Sequence, residues 1–191
     1  MLKTIRFDGN LIINLESNTF SELSNLNLLV LQSNDLSIIS NGTFSNLTRL
    51  TYLDLSYNEI VSIENEAFSD LVSLTHLILN HNKLKSIGLD LFKTLINLKH
   101  LIIKIINIQY LTNLKILDLQ MNSITNFSQN LYNLEILNLN KNPIKYLNDS
   151  LIYSYKNNVM LQELYLDECQ INFVGQNVFQ LYKHMKLLGK L

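Results

Sequence analysis

One leucine-spaced phrase recurs along this chain and decides what it can fold into. Ile5, Leu29, Leu53, Leu77 and Leu101 stand in one register at steps of 24 residues. Around them, Leu26 to Leu36, Leu50 to Ile60 and Leu74 to Leu84 read LxxLxLxxNxL, with Ile closing the second. Leu2 to Ile12 fits with Ile5 and Phe7 in place of leucine. Downstream, Leu117, Leu137, Leu164 and Leu188 keep the anchor at steps of 16, 20, 27 and 24, giving about eight repeats and a truncated ninth in 191 residues. Within LxL, alternation at period two marks a short strand with both leucines on one face. Such a strand alone buries almost nothing. Stacked about 4.8 Å apart in a parallel sheet, each inward leucine contributes roughly 1.5 to 3 kcal/mol, so stability accumulates repeat by repeat.

Two further columns follow from the period. Asn10, Asn34, Asn58, Asn82, Asn122 and Asn142 sit where the chain turns off the strand, and an inward amide there can satisfy backbone groups of neighbouring loops. Cys169 takes that place in the eighth repeat as a small buried thiol. Phe20, Phe44, Phe68, Phe92 and Phe179 occupy the nineteenth position of the long repeats and are expected to stack as an aromatic column in the core.

These motifs resemble the leucine-rich repeat family, and the resemblance covers essentially the whole chain. The IxxIxxxxF that follows the asparagine, as in Ile60, Ile63 and Phe68, resembles the 24-residue class of animal extracellular and receptor ectodomains. The resemblance implies an α/β solenoid, a horseshoe with a concave parallel sheet and an irregular or short-helical convex side, as a single domain over residues 1–191. It also implies a non-catalytic module that binds a protein, or a glycan, on the concave face of an extracellular or cell-surface protein.

The pattern breaks between Leu98 and Leu114, a step of 16 residues with Ile106 where asparagine is expected. An irregular repeat over 98–113, or a segment lost from the gene model, accounts for this. The step of 20 from Leu117 to Leu137 leaves little chain for a phenylalanine-type turn, so a tighter convex side is expected there. Members of the family outside the cell usually shield their ends with cysteine-rich caps. One cysteine cannot supply them, and uncapped solenoid ends expose apolar side chains, so a fragment of a longer protein is expected.

Composition narrows the function. Fifteen Lys and Arg against 16 Asp and Glu provide no global field for nucleic acid or an anionic membrane, and neither partner is expected. The apolar run from Leu101 to Ile108 falls well short of the roughly 18 to 20 residues that span a bilayer. Met1 runs directly into repeat sequence, without the pattern of a secretion signal. There is no phosphate-cradling glycine loop, GxSxG or HExxH, so no enzyme and no cofactor are expected.

Binding is therefore read from the residues between the inward leucines. Tyr52, Asp54, Tyr57, His76, Ile78, His81, His100 and Ile102 combine aromatic rings with clustered aliphatics, the composition of an interface core. His76 and His100 share a column with Asp54 one repeat earlier, but two histidines and a distant carboxylate do not make the ligand set zinc requires, so no metal is expected. Sequons at Asn41, Asn46, Asn126 and Asn148 would carry glycans if the chain is secreted, although chance gives about as many at this composition. Two other readings remain open: a cytoplasmic scaffold or regulatory subunit, consistent with absent disulfides, and a non-catalytic arm of a multidomain enzyme.

Overall fold

The computed structural model describes residues 2–84, 86–88, 90–103, 111–122, 124–125, 127, 133–147, 160–176 and 178, with the backbone of 186–187. It falls into two compact units, Met1–Leu111 and Thr112–Leu191. Residues 104–110 of the irregular segment 98–113, together with Phe179 and Leu188, lie outside the described residues.

In the first unit, the strands β1 (Thr4–Arg6), β2 (Leu28–Val30), β4 (Tyr52–Asp54), β6 (His76–Ile78) and β7 (His100–Ile102) form a parallel stack. Every pairing joins residues 24 apart, as in Leu29 opposite Leu53 and Leu53 opposite Leu77, so the sequence period is the sheet register. Between them, β3 (Ile38–Ile39) and β5 (Ser62–Ile63) make a second, two-stranded parallel sheet on the flank. The second unit repeats the plan. There β8 (Ile116–Asp118), β9 (Ile136–Asn138), β11 (Glu163–Tyr165) and β13 (Lys186–Leu187) pair in parallel, while β10 (Tyr146–Leu147) and β12 (Phe173–Val174) form the flanking pair. Among the described residues the connections are turns and no helix occurs. The last register differs from expectation: Leu187, not Leu188, lies opposite Leu164.

The core is the leucine ladder. Leu29, Leu53, Leu77 and Leu101 are fully buried, whereas Ile5, in the edge strand β1, is half-buried. Phe44 stacks on Phe20 at 6.3 Å between ring centroids and on Phe68 at 6.0 Å, forming the expected aromatic column, and Phe92 is buried at its own place in it. Phe127 is fully buried as well, in the repeat expected to lack such a residue. Counted back from the next opening leucine, Leu134, it stands seven residues away, against six for Phe68 and Leu74. The shortened repeat thus keeps its aromatic and gives up chain on the strand side of it.

The asparagine column hydrogen-bonds in both directions. The Nδ2 of Asn82 donates to the carbonyls of Leu55, in the preceding repeat, at 2.9 Å and of Leu79, in its own, at 3.0 Å, while Oδ1 accepts from the Ile60 N–H at 3.0 Å. Asn142 does the same with Leu119, Leu139 and Ile124 in the second unit. Asn10 departs from the expectation of an inward amide, being exposed and bonded to the carbonyls of Phe7 and Asp8 within its own repeat. Cys169 stands in for asparagine, its Sγ donating to the Leu139 carbonyl at 3.3 Å. Burial pushes the thiol pKa up, which keeps it a poor nucleophile.

The residue before each of these asparagines, and before Cys169, is left-handed. Ser33, Tyr57, His81, Met121, Lys141 and Glu168 all have φ between 52° and 58°, and Gly9 takes the same place at 70°. Only the last of these residue types is at ease there, since an L side chain in that region costs about 1 to 2 kcal/mol. Ser33→Gly is therefore expected to raise stability by up to about 1 kcal/mol in urea denaturation, the relief being offset in part by the freer unfolded chain. Ser33→Val is expected to lower it by about as much, because a β-branched side chain is excluded from that region. Loss of stability with glycine would show that the geometry is not what limits this turn.

Candidate partner-binding face

Parallel, in-register pairing sets residues 24 apart side by side at one strand spacing, so like side chains meet like side chains. Tyr52, His76 and His100 are paired this way across β4, β6 and β7. The His76 and His100 rings lie face to face, 4.1 Å apart at 17°, and Tyr52 tilts against His76 at 5.7 Å and 32°. All three are half-buried, and the leucine that follows each is fully buried, so the rings belong to the outer face of the sheet. Ile78 and Ile102 are paired with each other on the same face and half-buried.

The His76 ring is fixed from below. Thr75 Oγ1 donates its proton to the Thr51 carbonyl at 2.8 Å and lies 2.9 Å from His76 Nδ1. This contact holds the ring against its own strand, and the direction of the bond follows the ring's tautomer. Burial lowers the His76 pKa, and the nearby Lys99 charge lowers it further. For Tyr52, burial and the Asp54 charge raise the pKa while Arg6 opposes them. Both rings are therefore uncharged at neutral pH.

A second pair lies at the turn edge of the same face. Tyr57 and His81 stack at 4.1 Å and 14°, both exposed and both left-handed at φ 53°.

Asp54 corrects the sequence reading. It is 7% exposed rather than projecting from the face, and its Oδ1 accepts from the Ser56 N–H at 2.9 Å and the Ser56 hydroxyl at 2.6 Å. Asp118 and Asn138, at the same place in their repeats, accept the N–H groups of Gln120 and Asn140 at 3.0 Å each. Burial raises the Asp118 pKa, and its bonds to Gln120 and Asn138 oppose the shift. An acid or amide between the two leucines thus folds onto its own strand's end, a local competition that D-L-S, D-L-Q and N-L-N signal in the sequence. With Asp54 occupied by Ser56, the His76 and His100 pair has no carboxylate from that column. Rings stacked face to face also aim their in-plane nitrogen lone pairs in parallel instead of at one point. Among the described residues no group of three or more His, Cys, Asp or Glu is placed to hold a metal ion.

Of the sequons, Asn41 and Asn46 are exposed. Asn41 Oδ1 accepts from the Glu66 N–H at 3.0 Å, and Asn46 Nδ2 donates to the Ser21 carbonyl at 2.7 Å. Asn126 and Asn148 lie outside the described residues. The period-two reading missed exposed apolar residues on and beside the flanking pairs: Ile38 and Val61 in the first unit, and Tyr146, Phe173 and Val174 in the second. Two-residue strands carry too little alternation to be seen beforehand. Among the described residues no helix is long and apolar enough to cross a membrane.

Solved structures share this architecture over nearly the whole chain. The Toll–Spätzle complex of Drosophila aligns with a TM-score of 0.83 at 20% identity, over 100% of this chain and 26% of that one. A TLR13–ssRNA13 complex aligns at 0.81 and 26% identity, over 99% of this chain and 29% of that one. Human 5T4, a trophoblast glycoprotein, aligns at 0.70 and 22% identity, over 99% of this chain and 69% of its own. This chain thus spans less than a third of the length of the first two. No curated protein matches its sequence. The leucine rich repeat model matches twice, over residues 1–60 and 48–105, and these together take in more than half of the chain. The chain belongs to the leucine rich repeat family.

Proposed function

We propose that the first unit carries a non-catalytic protein-binding face and that it is part of an extracellular or cell-surface receptor or adhesion-type protein. The observation that carries this reading is the pair of ring stacks, Tyr52 with His76 and His100 and Tyr57 with His81, beside Ile78 and Ile102 on adjacent strands. Rings and aliphatics held by a rigid sheet bury area in a complex with little ordering of side chains. The Toll neighbour was solved with Spätzle, a protein, and 5T4 is a glycoprotein, which supports both the partner class and glycosylation at Asn41 and Asn46. The TLR13 neighbour was solved with single-stranded RNA, so RNA is the competing ligand, against the near-neutral charge of 15 basic and 16 acidic side chains. A cytoplasmic scaffold is the second reading, favoured by the lone cysteine, Cys169.

Alanine at Tyr52 or at Ile78 is expected to weaken the partner's affinity about tenfold, the scale of an interface hot spot, while Val61→Ala on the flank leaves it unchanged. Surface plasmon resonance of the three variants reads this directly. Equal affinity for all would remove the face from the account, and competition by a single-stranded RNA oligonucleotide that depends on Tyr52 would replace protein by RNA as the ligand.

A further inference from the structure

Asn41 is followed by Gly42, the one place in the sequence where glycine follows asparagine, and the pair lies in the turn after β3. We infer that Asn41 is a site of spontaneous backbone modification: its side chain closes onto the Gly42 nitrogen to a succinimide, and hydrolysis leaves isoaspartate, which opens a clasp between three repeats. The inference stands apart from the contact surface proposed above. Glycosylation at Asn41 draws on the same Nδ2, so the unglycosylated chain is the one that converts.

The turn presents every group the reaction needs. The nucleophile is the Gly42 nitrogen, and glycine has no Cβ to obstruct its approach to Asn41 Cγ. Among the described residues neither the Gly42 N–H nor the Asn41 Nδ2 makes a hydrogen bond, so nucleophile and leaving amide are both free. Asn41 is exposed, so water reaches them. The electrophile is polarised, because Asn41 Oδ1 accepts from the Glu66 N–H at 3.0 Å, where negative charge develops as the nitrogen adds. The bond from Gly42 N to Asn41 Cγ forms, the Cγ to Nδ2 bond breaks, and the Gly42 proton departs with Nδ2 as ammonia. Water then opens the ring at one of its two carbonyls. The carbonyl that comes from the Asn41 main chain accepts from the Ser17 hydroxyl at 3.1 Å, which polarises it toward water. Attack there breaks the old peptide bond to Gly42 and leaves the chain running through Cγ, one methylene longer, with a new carboxylate on Cα. The same two residues clasp the neighbouring repeats: the Asn41 N–H donates to Glu64 Oε2 at 2.7 Å, and the Gly42 carbonyl accepts from the Asn18 N–H at 2.9 Å. A longer main chain carries these groups out of register, and the new carboxylate stands near that of Glu64 and is repelled by it. Asn46 is the internal comparison, being exposed too but followed by Leu47 and tied through Nδ2 to the Ser21 carbonyl at 2.7 Å.

The test incubates the full chain, made in bacteria and so free of glycans, at neutral and at mildly alkaline pH. The tryptic peptide from Phe7 to Arg49 is then followed over time by fragmentation mass spectrometry. Asn41 is expected to lose its amide while Asn46 in the same peptide keeps it, and to lose it faster at the alkaline pH, which deprotonates the Gly42 nitrogen. The product at position 41 should be methylated by a protein isoaspartate methyltransferase, and Asn41→Gln should keep its amide, since the longer side chain closes a ring less readily. A synthetic peptide of residues 38–45 sets the rate of the chemistry without the fold. The folded chain is expected to convert at least as fast as that peptide. An intact Asn41 in the folded chain, under conditions that convert the peptide, would overturn the site. In the converted fraction, amide hydrogen exchange at Asn18 and Glu66 should quicken, and unchanged exchange there would overturn the opening of the clasp. No partner enters these measurements, so their outcome and that of the contact surface are separate.

Discussion

Asn58→Ala is expected to destabilise the first unit by roughly 3 to 5 kcal/mol, more than any substitution on the strand face. The side chain serves four backbone groups. Its Nδ2 donates to the carbonyls of Leu31 at 2.9 Å, Ser56 at 3.1 Å and Leu55 at 3.2 Å, and its Oδ1 accepts from the Leu36 N–H at 3.1 Å. Alanine leaves these groups without the side chain that pairs them, and an unsatisfied buried polar group costs about 1 to 3 kcal/mol. The bonds also reach back to Leu31 in the preceding repeat, so the loss falls on the interface between repeats as well as on the turn. Asn10→Ala is the internal control: that residue is exposed and bonds only to its own turn, so a change within about 0.5 kcal/mol is expected. Asn58→Cys should fall between the two, since Cys169 keeps one donor bond at this place in its repeat. Urea denaturation of the three variants measures the order, and equal losses at Asn10 and Asn58 would contradict it.

Phe68→Ala is the second large effect, at about 3 to 5 kcal/mol, the range for emptying a buried phenylalanine site. Its ring is fully buried and stacked on Phe44 at 6.0 Å, so alanine removes both the transferred area and a ring contact, and turns joined in register cannot close over the void. Phe7, by contrast, is 40% exposed in the first repeat, and Phe7→Ala should cost under about 1.5 kcal/mol. Thermal unfolding followed by circular dichroism separates the two. A small effect at Phe68 would mean that the column is filler and that the leucine ladder alone carries the core.

The fold was legible because a repeat protein states its register many times over: the 24-residue steps from Ile5 to Leu101 became the strand pairs directly. The asparagine column was legible for the same reason, except at Asn10, whose amide bonds within its own turn. Three features were not. Asp54 looked outward by position, but its carboxylate is short enough to reach the N–H two residues on, a contact that a face assignment ignores. The left-handed turns at Tyr57 and His81 gave no signal because glycine, the usual marker, occurs in that place only at Gly9. Phe127 escaped because the repeat around it was counted forward from its strand, where the deletion lies, and not back from Leu134. At the candidate site the ring residues themselves were visible. Their stacking was not, since it depends on side-chain rotamers that only the assembled sheet selects.

The contact face is tested most directly by placing a photo-reactive benzoylphenylalanine at one position at a time, His76 on the strand face or Val61 on the flank, and irradiating the protein in medium conditioned by cells. The account predicts a cross-linked protein partner from position 76, lost when Ile78→Ala is added, and none from position 61. Cross-linking from position 61 with none from position 76 would contradict it and would move the contact surface to the flanking strands.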